Sequence, residues 1–190
     1  MNYKTLPKGY RFAGTLDFMR NRAQVISVLK LALALTALPL IAGLIAAPPK
    51  LSLRGFIDTW YLWPATALML VAYIPLHELV HGAAMFALSG VKPVFGIRLP
   101  YAYAGSTAWF DRRSHVITAL APLIVWGIVL QILISRLPGT WFWPLWIVQI
   151  SNLSGSAGDI YCAWALLRMD GRLLIQDTGT RMRVMRYVEQ

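Results

Sequence analysis

The segment HELVHG, residues 77–82, places two histidines and one glutamate inside a long apolar stretch. His77 and His81 are four residues apart, so on a helix their imidazoles share one face and can reach the same metal ion. Glu78 lies about 100° further round the helix, which is a poor position for a ligand but a suitable one for a general base. This is the arrangement of an HExxH zinc site. The alternative is a structural role as buried polar residues that hold helices together, but that role does not require this spacing.

A catalytic zinc site usually has a third protein ligand, for which the candidates are Asp159 and His115. His77, His81 and Asp159 lie at similar distances from the ends of their apolar stretches. His115 begins another stretch, about 12–18 Å from that level by the rise of a helix. The comparison of depths favours Asp159 as the third ligand. His115 remains the alternative and is expected beside the aqueous mouth of the site.

The segment NLSGSAGD, residues 152–159, places small and polar residues in the middle of a later apolar stretch. Asn152, Ser156 and Asp159 fall on one helical face. One interpretation is close packing of another helix against the small residues Ser154, Gly155 and Gly158. The other adds a catalytic role for Asn152, whose side chain would hydrogen-bond the substrate backbone or its oxyanion.

The composition predicts a membrane protein, because hydrophobic residues make up 57% of the 190 residues and charged residues only 14%. We expect an all-α polytopic membrane protein with a small cytoplasmic β element, forming a single domain over residues 1–190. Its predicted transmembrane helices are the stretches long enough to cross a bilayer, about 25–47, 61–89, 116–135 and 141–167.

The net charge of +10 comes from residues that flank the apolar stretches rather than line one polar face. This distribution favours contact with anionic lipid over binding of nucleic acid. Lys and Arg are concentrated in segments 1–24, 90–115 and 168–190, so we expect these segments and both termini to be cytoplasmic in a multi-pass protein of the cell membrane. The single cysteine, Cys162, allows no internal disulfide and is interpreted as a packing residue.

Three of the polar segments have the pattern of strands. In residues 9–18, GYRFAGTLDF, apolar and polar residues alternate with a period of two. Residues 94–110, VFGIRLPYAYAGSTAWF, predict a short hairpin that either accepts an extended substrate by strand addition or covers the site. In the tail, LLIQ and RMRVMRYV flank a turn at residues 177–180 and predict a second hairpin.

HELVHG in one span, followed by NLSGSAGD in a later one, resembles the motifs of intramembrane zinc proteases of the site-2 protease type. The nearest resemblance is to the zincin peptidase family of small bacterial multi-pass membrane proteins, and it extends to LPKGY, to ALAPLI at residues 119–124 and to IQDTGTRM. The resemblance implies Zn²⁺ held by His77, His81 and Asp159, with Glu78 catalytic. NLSGSAGD departs from the site-2 pattern because it lacks prolines and because Ile160 stands where a glycine follows the aspartate.

These features predict a membrane-embedded zinc metalloprotease that hydrolyses peptide bonds of membrane or membrane-proximal proteins near the cytoplasmic face. The expected partners are a membrane protein or peptide substrate and the lipid bilayer, with no nucleic acid, and no oligomeric state is predicted. The alternative is a non-catalytic membrane module whose structural metal site binds and regulates a partner protein. A transporter is disfavoured, because two acids and two histidines at one depth form no relay across a bilayer.

Overall fold

The computed structural model describes residues 2–16, 21–49, 58–98, 101–179 and 181–189. Helices dominate this part of the chain, and a 3₁₀ turn at Gly139–Trp141 precedes the fourth of them. The helices are α1 (Arg22–Ala46), α2 (Leu62–Ser89), α3 (Arg112–Arg136), α4 (Phe142–Gly155) and α5 (Ala157–Arg168). The strands are β1 (Tyr10–Leu16), β2 (Val94–Arg98), β3 (Tyr101–Gly105), β4 (Phe110–Asp111), β5 (Leu173–Asp177) and β6 (Met182–Tyr187).

Three of the helices, α1, α2 and α3, are long and apolar enough to cross a membrane, with 25, 28 and 25 residues. Each overlaps one of the first three predicted spans. Large apolar side chains lie exposed on these helices, as Leu33 of α1 and Leu68 of α2 do at 70% exposure each. A soluble domain rarely exposes so continuous an apolar surface, so the three helices are compatible with a membrane protein.

The fourth predicted span, residues 141–167, is divided into α4 and α5. Ser156 stands between them with φ −79° and ψ 6°. The prediction of one continuous helix was wrong, because the two parts have only 14 and 12 residues. The division coincides with NLSGSAGD, whose serines and glycines favour a helix less than the apolar residues around them do. Within the described residues, three continuous helices rather than four therefore have membrane length.

Helix α4 is the central packing element, with contacts to α1, α2 and α3. Its Trp146 lies against α1, where Nε1 donates a hydrogen bond to the carbonyl oxygen of Pro39 over 2.9 Å. Gly43 of α1 makes this close approach possible, because a Cβ atom at that position would collide with the Trp146 ring. On the other side, Leu145 and Val148 form a core cluster with residues of α2 and α3.

The strands form two antiparallel sheets. The larger has the order β1-β6-β5-β4, and the smaller is the β2–β3 hairpin. Both hairpins and the N-terminal strand predicted from the sequence are confirmed where the structure describes them. Residues 17 and 18 of the predicted first strand, together with 99 and 100 at the tip of the β2–β3 hairpin, lie outside the described residues.

The turn between β5 and β6 is fixed to the end of β3. Ser106 donates its backbone N–H to the carbonyl oxygen of Asp177 over 2.7 Å. Gly105 lies so close to the backbone of Thr178 that a side chain there would collide with it. The Asp177 carboxylate accepts a hydrogen bond of 2.8 Å from the Gly179 amide. The tail and the β2–β3 hairpin therefore form one continuous structure beside α2.

Replacing Gly43 by alanine is expected to destabilise the contact between α1 and α4. The hydrogen bond from Trp146 to Pro39 keeps the indole from moving aside, so the added methyl group overpacks the contact at a cost of about 1–3 kcal/mol. The measurement is the free energy of unfolding in detergent micelles. Gly155→Ala is the matched control, because among the described residues no atom outside its own helix backbone and chain neighbours lies within 4 Å of the added methyl position. Equal stability of the two variants would contradict this account of the packing.

Asp177→Asn is expected to change how stability depends on pH. Burial raises the pKa of Asp177 to about 6, with the Asp159 charge adding to the rise and the Gly179 amide and His81 opposing it. An aspartate in the unfolded chain has a pKa of about 3.9. The contribution of Asp177 to the free energy of unfolding is therefore complete below about pH 4 and is lost as the pH rises through about 6. Unfolding of the metal-free protein should show that decline, and Asp177→Asn should reduce it. Asp170→Asn, which removes an exposed carboxylate of the same tail, should leave the decline unchanged.

Candidate metal centre

Helix α2 directs both histidines of the HELVHG segment towards the other helices. His77 and His81 are 8% and 9% exposed, so both imidazoles lie inside the helix assembly. Their rings pack edge to face with centroids 4.9 Å apart, as expected for side chains one helical turn apart. The sequence prediction that the two imidazoles share one face is therefore confirmed.

Asp159 of α5 completes a group of three candidate ligands. Its Oδ2 lies 3.4 Å from His77 Nε2 and 3.6 Å from His81 Nε2. The position is electrostatically favourable for a carboxylate, because Asp159 lies in the first turn of α5, where the amide groups of a helix point outward. The structure thus brings together the three residues that the sequence predicted as ligands, which we call the ligand group.

The ligand group fits a zinc ion in both chemistry and spacing. Two imidazoles and one carboxylate are a donor set of catalytic zinc sites, with bonds of about 2.0–2.2 Å. In a tetrahedral site such bonds place neighbouring donor atoms about 3.3–3.6 Å apart, in agreement with the observed separations. The three donor atoms lie within 4.8 Å of one another, and no fourth His, Cys, Asp or Glu of the described residues joins them. Three protein ligands would leave a zinc ion one position for water or substrate, as in catalytic rather than structural zinc sites.

The second ring nitrogen of His81 is held by the backbone of α3. His81 Nδ1 lies 2.9 Å from the carbonyl oxygen of Thr118, so it must donate its proton there. That carbonyl lacks its usual helical donor, because the residue four positions later is Pro122, which has no N–H. With Nδ1 engaged in this way, Nε2, which faces Asp159, is the nitrogen left to bind a metal ion. The proline of ALAPLI therefore has a physical connection to the metal centre.

Glu78 is oriented by the β2–β3 hairpin. Its Oε2 accepts a hydrogen bond of 2.8 Å from the backbone N–H of Ala104. Ala104 lies opposite Phe95 of β2. In an antiparallel ladder, hydrogen-bonded and non-hydrogen-bonded residue pairs alternate, so the Ala104 N–H can point away from β2 and towards Glu78. The contact places the hairpin over Glu78, and the predicted strand addition of a substrate at residues 94–110 stays a prediction. The other carboxylate oxygen, Oε1, has no part in the contact with Ala104.

Asn152, which the sequence marked as a catalytic candidate, is completely buried beside the ligand group. Its Oδ1 accepts a hydrogen bond of 2.8 Å from the Tyr73 hydroxyl. Its Nδ2 donates over 3.2 Å to the carbonyl oxygen of Leu123. A contact between Asn152 and substrate stays a prediction. Tyr73 was missed by the sequence analysis, although its place one helical turn before His77 puts it on the same face of α2.

His115 and Cys162 lie outside the ligand group. His115 is only 2% exposed and packs against Phe110 of β4, so the expectation that it lies beside an aqueous mouth was wrong. The reason is that β4 and the tail strands cover the beginning of α3. Cys162 is a free, buried thiol in the core cluster formed with these strands, in agreement with its predicted packing role. Its Sγ lies 3.8 Å from His115 Nε2.

Removing a member of the ligand group is expected to abolish stoichiometric zinc binding. His77→Ala or Asp159→Ala leaves two metal ligands. Removal of a ligand's hydrogen-bond partner lowers metal affinity about 10–100-fold, and removal of the ligand itself should lower it further. The measurement is the zinc content of purified protein, together with competition against a chelator of known affinity. His115→Ala should bind zinc normally. Loss of zinc in His115→Ala with full retention in Asp159→Ala would contradict the assignment.

Comparison with known protein families agrees with this geometry. A family model described as "Putative zincin peptidase" matches residues 70–173, which include the whole ligand group, Glu78 and Tyr73. No curated protein and no solved structure matches the chain. The family match covers more than half of the 190 residues. The chain therefore belongs to the family that carries this description.

Proposed function

We propose that the protein is a membrane-embedded zinc metalloprotease that cleaves membrane or membrane-proximal proteins near the cytoplasmic face. One observation carries the proposal. The metal-binding nitrogens of His77 and His81 converge with Oδ2 of Asp159, and Glu78 follows His77 directly in the sequence. Three ligands, an open coordination position and an adjacent carboxylate are the parts required for metal-assisted peptide hydrolysis.

The surroundings of the site support its location within a bilayer. His77 lies about 23 Å from the beginning of α2 and about 18 Å from its end, by the rise of a helix. Near His77 the outward-facing apolar side chains are substantially exposed, with Ile74 at 53% and Leu79 at 57%. Hydrocarbon is the solvent that such a surface suits. The distribution of Lys and Arg supports an orientation with both termini in the cytoplasm.

Glu78 supplies the proton transfers in the proposed reaction. A bound zinc ion would supply a Lewis acid and lower the pKa of a water molecule towards about 7. The Ala104 amide holds Oε2 of Glu78, which leaves Oε1 to accept a proton from the attacking water. The same carboxyl group then delivers that proton to the nitrogen of the departing amine.

The substrate has to present an extended segment to this carboxylate. A transmembrane helix must unwind locally first, because its peptide carbonyls are engaged in intrahelical hydrogen bonds. The edge of β3 that faces Glu78 carries the N–H of Ala104. This N–H can donate its hydrogen bond to a peptide carbonyl of the substrate instead of to the glutamate. Strand addition at this edge would therefore bring the substrate beside the base and release Oε2 in the same event.

The experiment that tests the proposed function is Glu78→Gln in the full-length protein, reconstituted with zinc. Its probes are casein and a single-span peptide with a helix-breaking centre, analysed by mass spectrometry. The variant should keep its zinc and lose about 10²–10⁴-fold in cleavage rate, because general base catalysis contributes that much. Glu189→Gln, the same change at an exposed position of the tail, is the control and should cleave normally. Undiminished cleavage by Glu78→Gln would eliminate this scheme, whereas a non-catalytic module would cleave neither probe, as wild type or as variant.

A further inference from the structure

Tyr73 and Asn152 link His77 to a backbone carbonyl by a series of hydrogen bonds, and the donor and acceptor of each bond can be assigned. The carbonyl oxygen of Leu123 can only accept, so the Asn152 group that faces it must be the amide nitrogen. Asn152 therefore presents its carbonyl oxygen to Tyr73, whose hydroxyl must donate to it. Since that hydroxyl has only one proton, it must accept from His77 Nδ1, which lies 2.7 Å away. The series ends with a proton on Nδ1, which leaves His77 Nε2 as the nitrogen available to a metal ion.

The series is shielded from water. Asn152 is completely buried, and Tyr73 and His77 are each 8% exposed. In such surroundings a hydrogen bond is stronger than in water, and an unpaired N–H is costly. A reversal of any one bond would place two donors or two acceptors opposite each other. The arrangement therefore permits a single tautomer of His77 when Nε2 binds a metal.

We propose that Tyr73 and Asn152 are positioning residues, which hold His77 with its proton on Nδ1 and its Nε2 directed at the metal. Both polar groups of the Asn152 side chain are used in this task, which argues for a role through Tyr73 rather than through contact with substrate. In His81 the proton is likewise held on Nδ1, because Nδ1 donates a hydrogen bond to the Thr118 carbonyl. The inference rests on the proposed zinc site, and it assigns to α4 a part in metal binding although α4 contributes no ligand.

The first test is the zinc dissociation constant of Tyr73→Phe, measured by competition with a chromophoric chelator. Removal of the hydroxyl leaves the Nδ1 proton without an acceptor, so affinity should fall about 10–100-fold, the usual effect of losing a ligand's partner. Tyr61→Phe makes the same chemical change at the beginning of α2, about 24 Å from His77 by the helical rise, and should bind zinc as the wild type does. Circular dichroism shows whether each variant keeps its helices.

A double-mutant cycle tests whether Asn152 acts through Tyr73. Asn152→Ala alone should weaken zinc binding, and adding it to Tyr73→Phe should weaken binding no further. Multiplicative losses would overturn the proposed connection. The protein has only three histidines, so ¹⁵N-histidine labelling gives a second readout that is independent of activity. In the zinc-loaded wild type, His77 and His81 should both show a protonated Nδ1, and Tyr73→Phe should alter the pattern of His77 alone.

Failure of this inference is distinguishable from failure of the proposed function. If Tyr73→Phe binds zinc as tightly as the wild type, with an unchanged His77 pattern, the positioning role is wrong, and Glu78→Gln still tests the protease. If Glu78→Gln cleaves normally but Tyr73→Phe loses affinity and changes the His77 pattern, the positioning role stands and the proteolytic mechanism falls.

Discussion

The partly buried carboxylate of Asp159 lies between two imidazole nitrogens, and the rest of the structure depends on this contact. An ionised carboxylate is costly to bury unless charge and hydrogen bonds compensate it. Here the first turn of α5 supplies one favourable field, and the two histidines supply a second. Because 77 residues separate His81 from Asp159, no local preference can bring them together. The packing of α2, α3 and α5 has to do so.

Irregular backbone occurs where this polar group needs partners. A regular helix in an apolar environment has no spare backbone donor or acceptor in its interior, so a polar site inside a helix bundle requires interruptions. Pro122 provides one, since it leaves the Thr118 carbonyl for His81. Ser156 provides another, since the division there creates the helix beginning on which Asp159 stands. The interruptions that weaken α3 and the α4–α5 segment as helices are thus the features that make the site possible.

Local patterns in the sequence predicted much of the fold and the members of the ligand group, for a clear physical reason. The spacing of His77 and His81 follows from the helical period, the strands follow from a period of two, and α1, α2 and α3 follow from their apolar length. Asp159 could be inferred because depth in a helical span is proportional to the number of residues from its end, and Asp159 lies at a depth similar to that of the histidines. The division at Ser156 was missed because apolar length outweighed the local composition of NLSGSAGD. The burial of His115 depends on which strands cover α3, and the packing of strands on a helix cannot be predicted from the periodicity of the sequence.

Two further contacts at the site have almost no sequence signal. The bond between Tyr73 and Asn152 joins α2 to α4 and depends on the rotation of one helix against the other. The bond from Ala104 to Glu78 uses a backbone amide, which every residue except proline possesses. Side-chain identity can reveal a ligand, but the groups that orient a ligand are chosen by the fold.

The β2–β3 hairpin connects the proposed catalytic carboxylate to the C-terminal tail. Along one edge of the chain, the Ala104 N–H binds Glu78 and the Ser106 N–H binds the carbonyl of Asp177. These donors are two residues apart, so they point the same way and move together. A group that reaches Oε2 of Glu78 has to replace the Ala104 amide, and displacement of that edge would strain the turn held by Ser106. Contacts of the hairpin and the tail, outside the three membrane-length helices, therefore orient the proposed base, while the helices position the ligand group.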